Sequence, residues 1–174
     1  MATPPQGLTL SHNRDLEGRE HRPWTRRILL GLVGVVVALG LLNVFGQRPS
    51  TSVARGGGAQ LKVYSPERVR GGLIFESRFH IRAIREIRNA TLVLEPGWLE
   101  GMTLNTVEPA PVGEASRDGS IAFELGRIPA GDDYLFFLQF QVNPTNVGRR
   151  SADVDLFDGE RLLLHVDRTI TVWP

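Results

Sequence analysis

The sequence contains no cysteine in its 174 residues. A chain without cysteine has no disulfide bridge, no thiolate ligand for a metal, no cysteine nucleophile and no lipid attached to cysteine. The chain also lacks an excess of either charge, because 20 lysine and arginine residues stand against 19 aspartate and glutamate residues. The resulting net charge of +1 leaves no electrostatic footprint for DNA or RNA, so we expect no nucleic-acid partner.

Motifs for catalysis are also missing. The chain has no Gly-x-Ser-x-Gly element, and the glycine run at 56–58 is not followed by the lysine of a phosphate-binding loop. His80 and His165 fall on the polar faces of predicted strands, where a metal site would need further ligands. Asp153 and Asp155 do not have the spacing of a calcium-binding loop. We therefore predict a non-enzymatic protein without a cofactor or a metal.

One long apolar run is present, over residues 28–46, and it contains no charged residue. At a rise of about 1.5 Å per residue, a helix of this length spans roughly 28 Å, close to the ~30 Å hydrocarbon core of a bilayer. A buried core helix would normally carry a polar stripe, whereas this run has only Asn43, near its end. The sequence therefore predicts a single transmembrane helix over 28–46.

The flanks of this run predict its orientation. Residues 1–27 are polar, carry more arginine than acidic residues and are predicted to form a disordered cytoplasmic tail. Trp24, Arg26 and Arg27 are expected at the membrane interface, where aromatic and basic side chains concentrate. The prediction is a single-pass protein of the cell membrane, in contact with the lipid bilayer, whose C-terminal domain is extracytoplasmic.

Two features of the N-terminal region leave alternatives open. Arg26 and Arg27 resemble the start of a twin-arginine export signal, and the Ser-Val-Ala at 52–54 fits a signal-peptidase site. The apolar segment is therefore either an uncleaved signal anchor or a cleaved signal. Gly34 and Ala38 form a small-x-x-x-small pair, which either supports a weak helix-mediated dimer or arises by chance.

The exported part divides into a linker and a domain. Residues 47–59 are rich in proline, serine and glycine and are predicted to be a flexible linker. Residues 60–174 show many short segments of alternating hydrophobicity separated by turn residues, which predicts an all-β, antiparallel sandwich. Only the stretch 83–88 could form a helical turn.

The alternation defines about eight strands. In 134–142 the even positions are apolar, and in 162–173 Arg168 interrupts the apolar face, which predicts a bulge or bend near 167–168. The other predicted strands cover residues 61–64, 73–83, 89–95, 102–107, 120–125 and 151–157. Asp-Gly pairs at 118–119 and 158–159 predict hairpin turns. The predicted core contains Phe79, Ile81, Leu92, Ile121, Phe123, Phe136, Leu138, Phe140, Leu164 and Val166.

Two stretches of this domain carry a resemblance. Ala-Thr-Leu-Val-Leu at 90–94 leads into Pro96-Gly97, and Ile-Ala-Phe-Glu-Leu-Gly-Arg-Ile-Pro-Ala-Gly at 121–131 leads into a long apolar strand. This succession resembles the immunoglobulin-like repeats of bacterial cell-surface proteins, over roughly residues 60–172. The resemblance implies an extracytoplasmic immunoglobulin-like sandwich and supplies no catalytic residue. Such repeats usually occur in tandem, whereas this chain has one copy.

A group of arginines is the candidate interaction surface. Arg78, Arg82, Arg85 and Arg88 concentrate positive charge that could face a partner, anionic lipid or envelope polymer, or could be a solvated strand face with ion pairs. The arginine-rich, lysine-poor composition is typical of bacteria. We predict a membrane-anchored, non-enzymatic interaction module that presents its sandwich to a membrane or envelope partner. The alternative is an exported envelope enzyme or ligand-binding protein built on the same sandwich.

Overall fold

The computed structural model describes residues 22–44 and 46–174, and the chain divides into two compact units, Met1–Val44 and Phe45–Pro174. The first unit contains a helix, and the second contains two β-sheets. The elements are α1 Arg22–Leu41, β1 Arg48–Gly56, β2 Ala59–Arg70, β3 Ile74–Ala83, β4 Ile87–Leu94, a 3-10 turn Pro96–Trp98, β5 Met102–Glu108, β6 Gly113–Arg117, β7 Ser120–Ile128, β8 Asp133–Val142, β9 Gly148–Ser151, β10 Val154–Asp158, β11 Arg161–Val166 and β12 Thr169–Trp173.

Helix α1 is a candidate membrane span by its length and composition. Its window Trp24–Leu41 has a mean hydropathy of 1.7, and none of the window is buried against protein. The helix begins before the predicted run 28–46 and ends earlier, since Asn43 adopts a left-handed conformation with φ of 52°. Of the tail predicted to be disordered until its last few residues, residues 22–27 are helical and residues 1–21 lie outside the described part of the chain.

The two sheets enclose one hydrophobic core. The seven-stranded sheet has the order β5-β8-β3-β2-β12-β9, with β1 also paired to β2, and the five-stranded sheet has the order β11-β10-β4-β7-β6. Neighbouring strands run antiparallel, except that β12 runs parallel to β2. The chain therefore forms a β-sandwich, as predicted, with one parallel pair that the sequence did not predict.

A long hairpin bends across the sandwich and belongs to both sheets. At the open end of the hairpin, β9 pairs with β12 in the seven-stranded sheet. Next to its turn at 158–159, β10 pairs with β11 in the five-stranded sheet. Both arms change sheet at the same level, where Ala152 N–H donates to Arg168 O over 2.9 Å. The bend predicted near 167–168 is present there. The predicted single strands 151–157 and 162–173 are thus each two strands.

The prediction of a flexible linker over 47–59 was wrong, because β1 and the start of β2 form a hairpin in this stretch. Gly57 and Gly58 have φ of 56° and 87°, the left-handed pair that a two-residue hairpin turn requires. The inward side chains of β1 include Ser50 and Ser52. Both accept hydrogen bonds from a buried arginine instead of packing as apolar side chains would. A strand with a polar inner face therefore resembles a linker in its sequence.

The core confirms the predicted apolar phase of the main strands. Nine of the ten predicted core residues are buried, and Ile121 is partly buried and packs against the others. The rings of Phe123 and Phe136 lie 5.2 Å apart and join the two sheets. Trp98, which was not predicted, is fully buried with its ring 5.6 Å from that of Phe79, and its indole N–H donates to Ala152 O over 2.9 Å.

Twelve strands in the described residues replace the predicted eight. Two predicted strands are divided at the sheet crossing, and β1 and β6 were not predicted. The segment 83–88 is not a helical turn: it carries the chain from β3 in one sheet to β4 in the other, and the N–H groups of Ile84 and Arg85 both donate to Gly58 O over 2.8 Å. The Asp-Gly turns predicted at 118–119 and 158–159 are confirmed.

Candidate binding surfaces

The outer face of the seven-stranded sheet carries a row of side chains that crosses five strands. The strand registers place Thr51, Tyr64, Arg78, Phe137 and Glu108 side by side on β1, β2, β3, β8 and β5. Directly opposed residues in neighbouring strands point to the same face, so these side chains form a continuous line on the surface. We call its central three members, Tyr64, Arg78 and Phe137, the aromatic–arginine row.

Arg78 stacks between the two rings of this row. Its guanidinium carbon lies 5.6 Å from the centroid of the Tyr64 ring and 5.7 Å from that of Phe137, within the range of cation–π attraction. Its Nε donates to Glu76 Oε1 over 2.6 Å, and this hydrogen bond raises the pKa of Arg78 above its usual value. The guanidinium is thereby held in one place on an exposed surface.

Two open hollows flank the aromatic–arginine row. One has a volume of about 500 Å³ and the other about 520 Å³. The first is lined by Lys62, Tyr64, Arg78, His80, Asp133 and Leu135, and the second by Glu76, Thr106, Glu108, Pro109, Phe137, Leu138 and Gln139. The aromatic–arginine row thus lies between two hollows. Aromatic residues and arginine are the residue types that contribute most of the binding energy in protein–protein interfaces.

The four predicted arginines do not form one strip. Arg78 and Arg82 lie on β3, and Arg82 is ion-paired with Asp133 over 2.9 Å. Arg85 lies in the segment that connects the two sheets, and its side chain packs against Gly58: a Cβ added at Gly58 would lie 3.0 Å from it. Arg88 lies on β4, in the other sheet. The expectation that these arginines concentrate their charge on one surface was therefore wrong, because the chain changes sheets between 83 and 87. Whether these arginines bind a partner stays a prediction.

A polar groove with a volume of about 730 Å³ lies near β12. It is lined by Ser52, Glu67, Arg68, Arg149, Arg150, Ser151, Asp153, Asp167, Arg168, Thr169 and Thr171. The registers set Thr171 opposite Arg68 on β2 and opposite Arg149 on β9, and they set Thr169 opposite Ser151. Two arginines from strands on either side thus flank one threonine.

Arg168 is the buried residue at the base of this groove, with only 6% of its surface exposed. Its guanidinium donates to Ser52 Oγ over 2.7 Å, to Ser50 Oγ over 3.0 Å, to Ser65 O over 2.8 Å and to Val63 O over 3.3 Å. Burial lowers the pKa of Arg168 from its usual value, and the Glu67 carboxylate acts in the opposite direction. Its Nε has no hydrogen-bond partner among the described residues.

A histidine and three aspartates form a cluster beside the groove. His165 Nδ1 lies 2.6 Å from Asp155 Oδ1, and its Nε2 lies 3.1 Å from Asp167 Oδ1. The hydrogen bond with Asp155, assisted by that with Asp167, raises the pKa of His165 above 6.5. Asp153, His165 and Asp167 offer ligand atoms within 4.8 Å of one another. A metal ion there would have to displace the hydrogen bonds that His165 makes with both carboxylates.

Sequence reasoning reached part of these surfaces. Arg78 and Arg82 were singled out, but their aromatic neighbours Tyr64 and Phe137 were not, because strand register decides which residues become neighbours. The groove was missed altogether, although the interruption of an apolar strand face by Arg168 was a signal for a buried polar site. The predicted interface residues Trp24 and Arg27 are close together on α1, with the Arg27 guanidinium 6.0 Å from the Trp24 ring. Their membrane contact stays a prediction, as does that of Arg26.

No protein-family model matches the chain, and no curated protein matches it. Among solved structures, it is similar to the CARDB domain of a Pyrococcus furiosus protein in complex with di-metal ions, at 12% identity and a TM-score of 0.39, with 72% of this chain and 89% of that chain covered. It is also similar to CaCohA2 from Clostridium acetobutylicum, at 12% identity and a TM-score of 0.42, covering 72% and 91%.

The C-terminal domain of Wzt is a further structural neighbour, at 14% identity and a TM-score of 0.36, with 74% of this chain and 81% of that chain covered. These domains are immunoglobulin-like β-sandwiches. Likenesses at such TM-scores support no functional assignment. The description of this chain as a two-sheet sandwich depends on its own strand pairing.

Proposed function

We propose that this protein is a single-pass membrane-anchored, non-enzymatic binding module that presents its immunoglobulin-like sandwich outside the cytoplasmic membrane to a protein partner. The partner would be a membrane or envelope protein, bound at the aromatic–arginine row. The observation that carries the binding role is the stacking of Arg78 between Tyr64 and Phe137 on an exposed sheet face. The resemblance to repeats of bacterial cell-surface proteins is consistent with this location.

The anchoring role is supported by α1. Its large apolar side chains are exposed all along the helix, including Ile28, Leu32 and Val36. In water such a surface would be unfavourable, by about 25 cal/mol for each Å² of apolar area, whereas in a bilayer it is solvated by lipid. The backbone of a helix satisfies its own hydrogen bonds, which a bilayer requires. The arginines before the apolar run support an N-terminus in the cytoplasm.

The topology can be tested with reporter fusions. A reporter that is active only outside the cytoplasm should be active when fused after Pro174 and inactive when fused before Trp24, because the arginine-rich flank is retained inside. A reporter that works only in the cytoplasm should give the opposite pattern. Protein extracted from membranes should require detergent and keep its N-terminal tail. Reversed reporter activity would contradict the orientation, and soluble protein beginning at Arg55 would show a cleaved signal.

The binding face can be tested by photo-crosslinking in membranes of the native host. A photoreactive amino acid at position 137, or at 135 beside it, should crosslink the full chain to one discrete protein. The same amino acid at position 88, on the five-stranded sheet, is the matched control and should not. Replacing Arg78 by aspartate should reduce the crosslinked product from position 135 at least about tenfold, since the loss of a hot-spot arginine at the centre of an interface costs about 2 kcal/mol or more.

The control substitution is Arg88→Asp, which makes the same charge change on β4. It should leave the crosslinked product from position 135 unchanged. Equal losses from Arg78→Asp and Arg88→Asp would show that general charge, not the aromatic–arginine row, attracts the partner. Crosslinks of equal yield from positions 88 and 137 would reject the proposed face.

A further inference from the structure

We propose that Arg68 and Arg149 form a clamp for a single phosphate group in the polar groove. This clamp is distinct from the aromatic–arginine row and does not depend on the function proposed above. Both arginines are exposed, and they lie on β2 and β9, on either side of the central strand β12. Thr171 is their shared cross-strand neighbour, and it contributes a hydroxyl between them.

The sheet geometry sets the size of the clamp. Adjacent strands lie about 4.8 Å apart, so the Cα atoms of two residues separated by one strand are roughly 10 Å apart. Two arginine side chains whose Cα atoms are this far apart can converge over the residue between them. Each guanidinium presents parallel N–H donors that match two oxygens of a phosphate, and a threonine hydroxyl can donate to a third. Two guanidinium groups and one hydroxyl thus supply enough donors for one tetrahedral oxyanion.

Two other charged residues of the groove, Arg150 and Asp153, already have partners. Arg150 is ion-paired with Glu100 over 3.4 Å and donates to Glu100 O over 2.6 Å. Asp153 accepts the Arg168 backbone N–H and the Ser151 hydroxyl, each over 2.6 Å.

The last two acids of the groove are Asp167 and Glu67. Asp167 accepts from His165, whereas the structure shows no hydrogen bond or ion pair for Glu67 among the described residues, and its carboxylate raises the pKa of Arg168. Among the described residues, the structure shows no hydrogen bond or ion pair for the side chains of Arg68 and Arg149. Two positive charges are therefore left to attract an anion, beside the buried guanidinium of Arg168.

The clamp is tested by titrating the full chain, in maltoside micelles at 0.15 M salt, with phosphate ligands in a calorimeter. The probes are inorganic phosphate, glycerol phosphate and short-chain phosphatidylglycerol, with phosphatidylcholine of the same chain length as the zwitterionic comparison. We expect saturable binding of at least one phosphate probe to the unmodified chain. Saturation by glycerol phosphate would assign a soluble or polymer-borne phosphate as the source, and saturation by phosphatidylglycerol alone would assign a lipid headgroup.

Substitutions decide whether the clamp is responsible. Arg68→Gln together with Arg149→Gln should weaken binding at least tenfold, and Arg149→Lys should weaken it less, because lysine keeps the charge but loses the two-donor fork. The matched control, Arg88→Gln with Arg161→Gln, removes two exposed charges elsewhere and should leave binding unchanged. Thermal unfolding of each variant would verify that the sandwich is intact. Absence of saturable binding by the unmodified chain, or an equal loss in the control, would overturn the proposal.

Discussion

Replacing Phe140 with alanine should lower the free energy of unfolding of the sandwich by about 3–5 kcal/mol, the range for large aromatic-to-alanine changes in a core. The ring of Phe140 is fully buried and lies 5.3 Å from the Phe75 ring and 5.4 Å from the Trp98 ring. Its removal therefore takes contacts from two other aromatic side chains and leaves a cavity between them. Urea unfolding of the full chain in detergent, followed by near-UV circular dichroism, measures the loss.

The control for this prediction is Arg82→Gln on the outer face of the same sheet. Arg82 is ion-paired with Asp133, but both side chains are about half exposed, at 54% and 42%. Exposed pairs of this kind contribute about 0–1 kcal/mol, so the substitution should change the unfolding free energy by less than about 1 kcal/mol. If Phe140→Ala were silent while Arg82→Gln unfolded the protein, the inner and outer faces would be assigned in reverse.

Replacing Arg168 with methionine should destabilise the sandwich by about 3–5 kcal/mol, although the substitution is from a charged to an apolar residue. Hydrogen bonds from a charged donor are each worth about 1.5–3 kcal/mol, and buried acceptors left without a donor add a desolvation penalty. Val63 O and Ser65 O are main-chain acceptors that remain after the substitution. The loss should be seen in urea unfolding, and hydrogen exchange should become faster in β1.

The faster exchange of β1 distinguishes this mechanism from general destabilisation. Arg168 bonds Ser50 and Ser52 on β1, which are 118 and 116 residues away in sequence, so the substitution removes the polar contacts that hold this strand. Arg168→Lys should cause a smaller loss than Arg168→Met, since a lysine ammonium keeps the charge and three donors, whereas methionine has none. Arg161→Gln, at an exposed site on β11, should change neither stability nor exchange. Unchanged protection of β1 in Arg168→Met would contradict the role of Arg168.

The two predictions differ in how far the local sequence predicts the position of the substituted side chain. Phe140 alternates with Gln139 and Gln141 along its strand, so its inward direction follows from the two-residue period of a β-strand. The hairpin at 118–119 is likewise local, since Asp118 and Gly119 both adopt positive φ. The apolar run of α1 has the length of a bilayer core whatever surrounds it. These features depend on neighbouring residues only, and the sequence by itself determined them.

Other features were decided only by tertiary structure. The serines of β1 point inward and accept from the guanidinium of Arg168, far away in the chain, and no local pattern contains this partner. The neighbours of Arg78 on β2 and β8 depend on strand register, which is a property of the assembled sheet. The clamp around Thr171 likewise requires that one hairpin arm cross from one sheet to the other before it pairs with both β2 and β9. Strand register thus placed Arg78 and Thr171 among their neighbours, and long-range hydrogen bonding placed Arg168, because a buried polar group is stable only where a partner meets it.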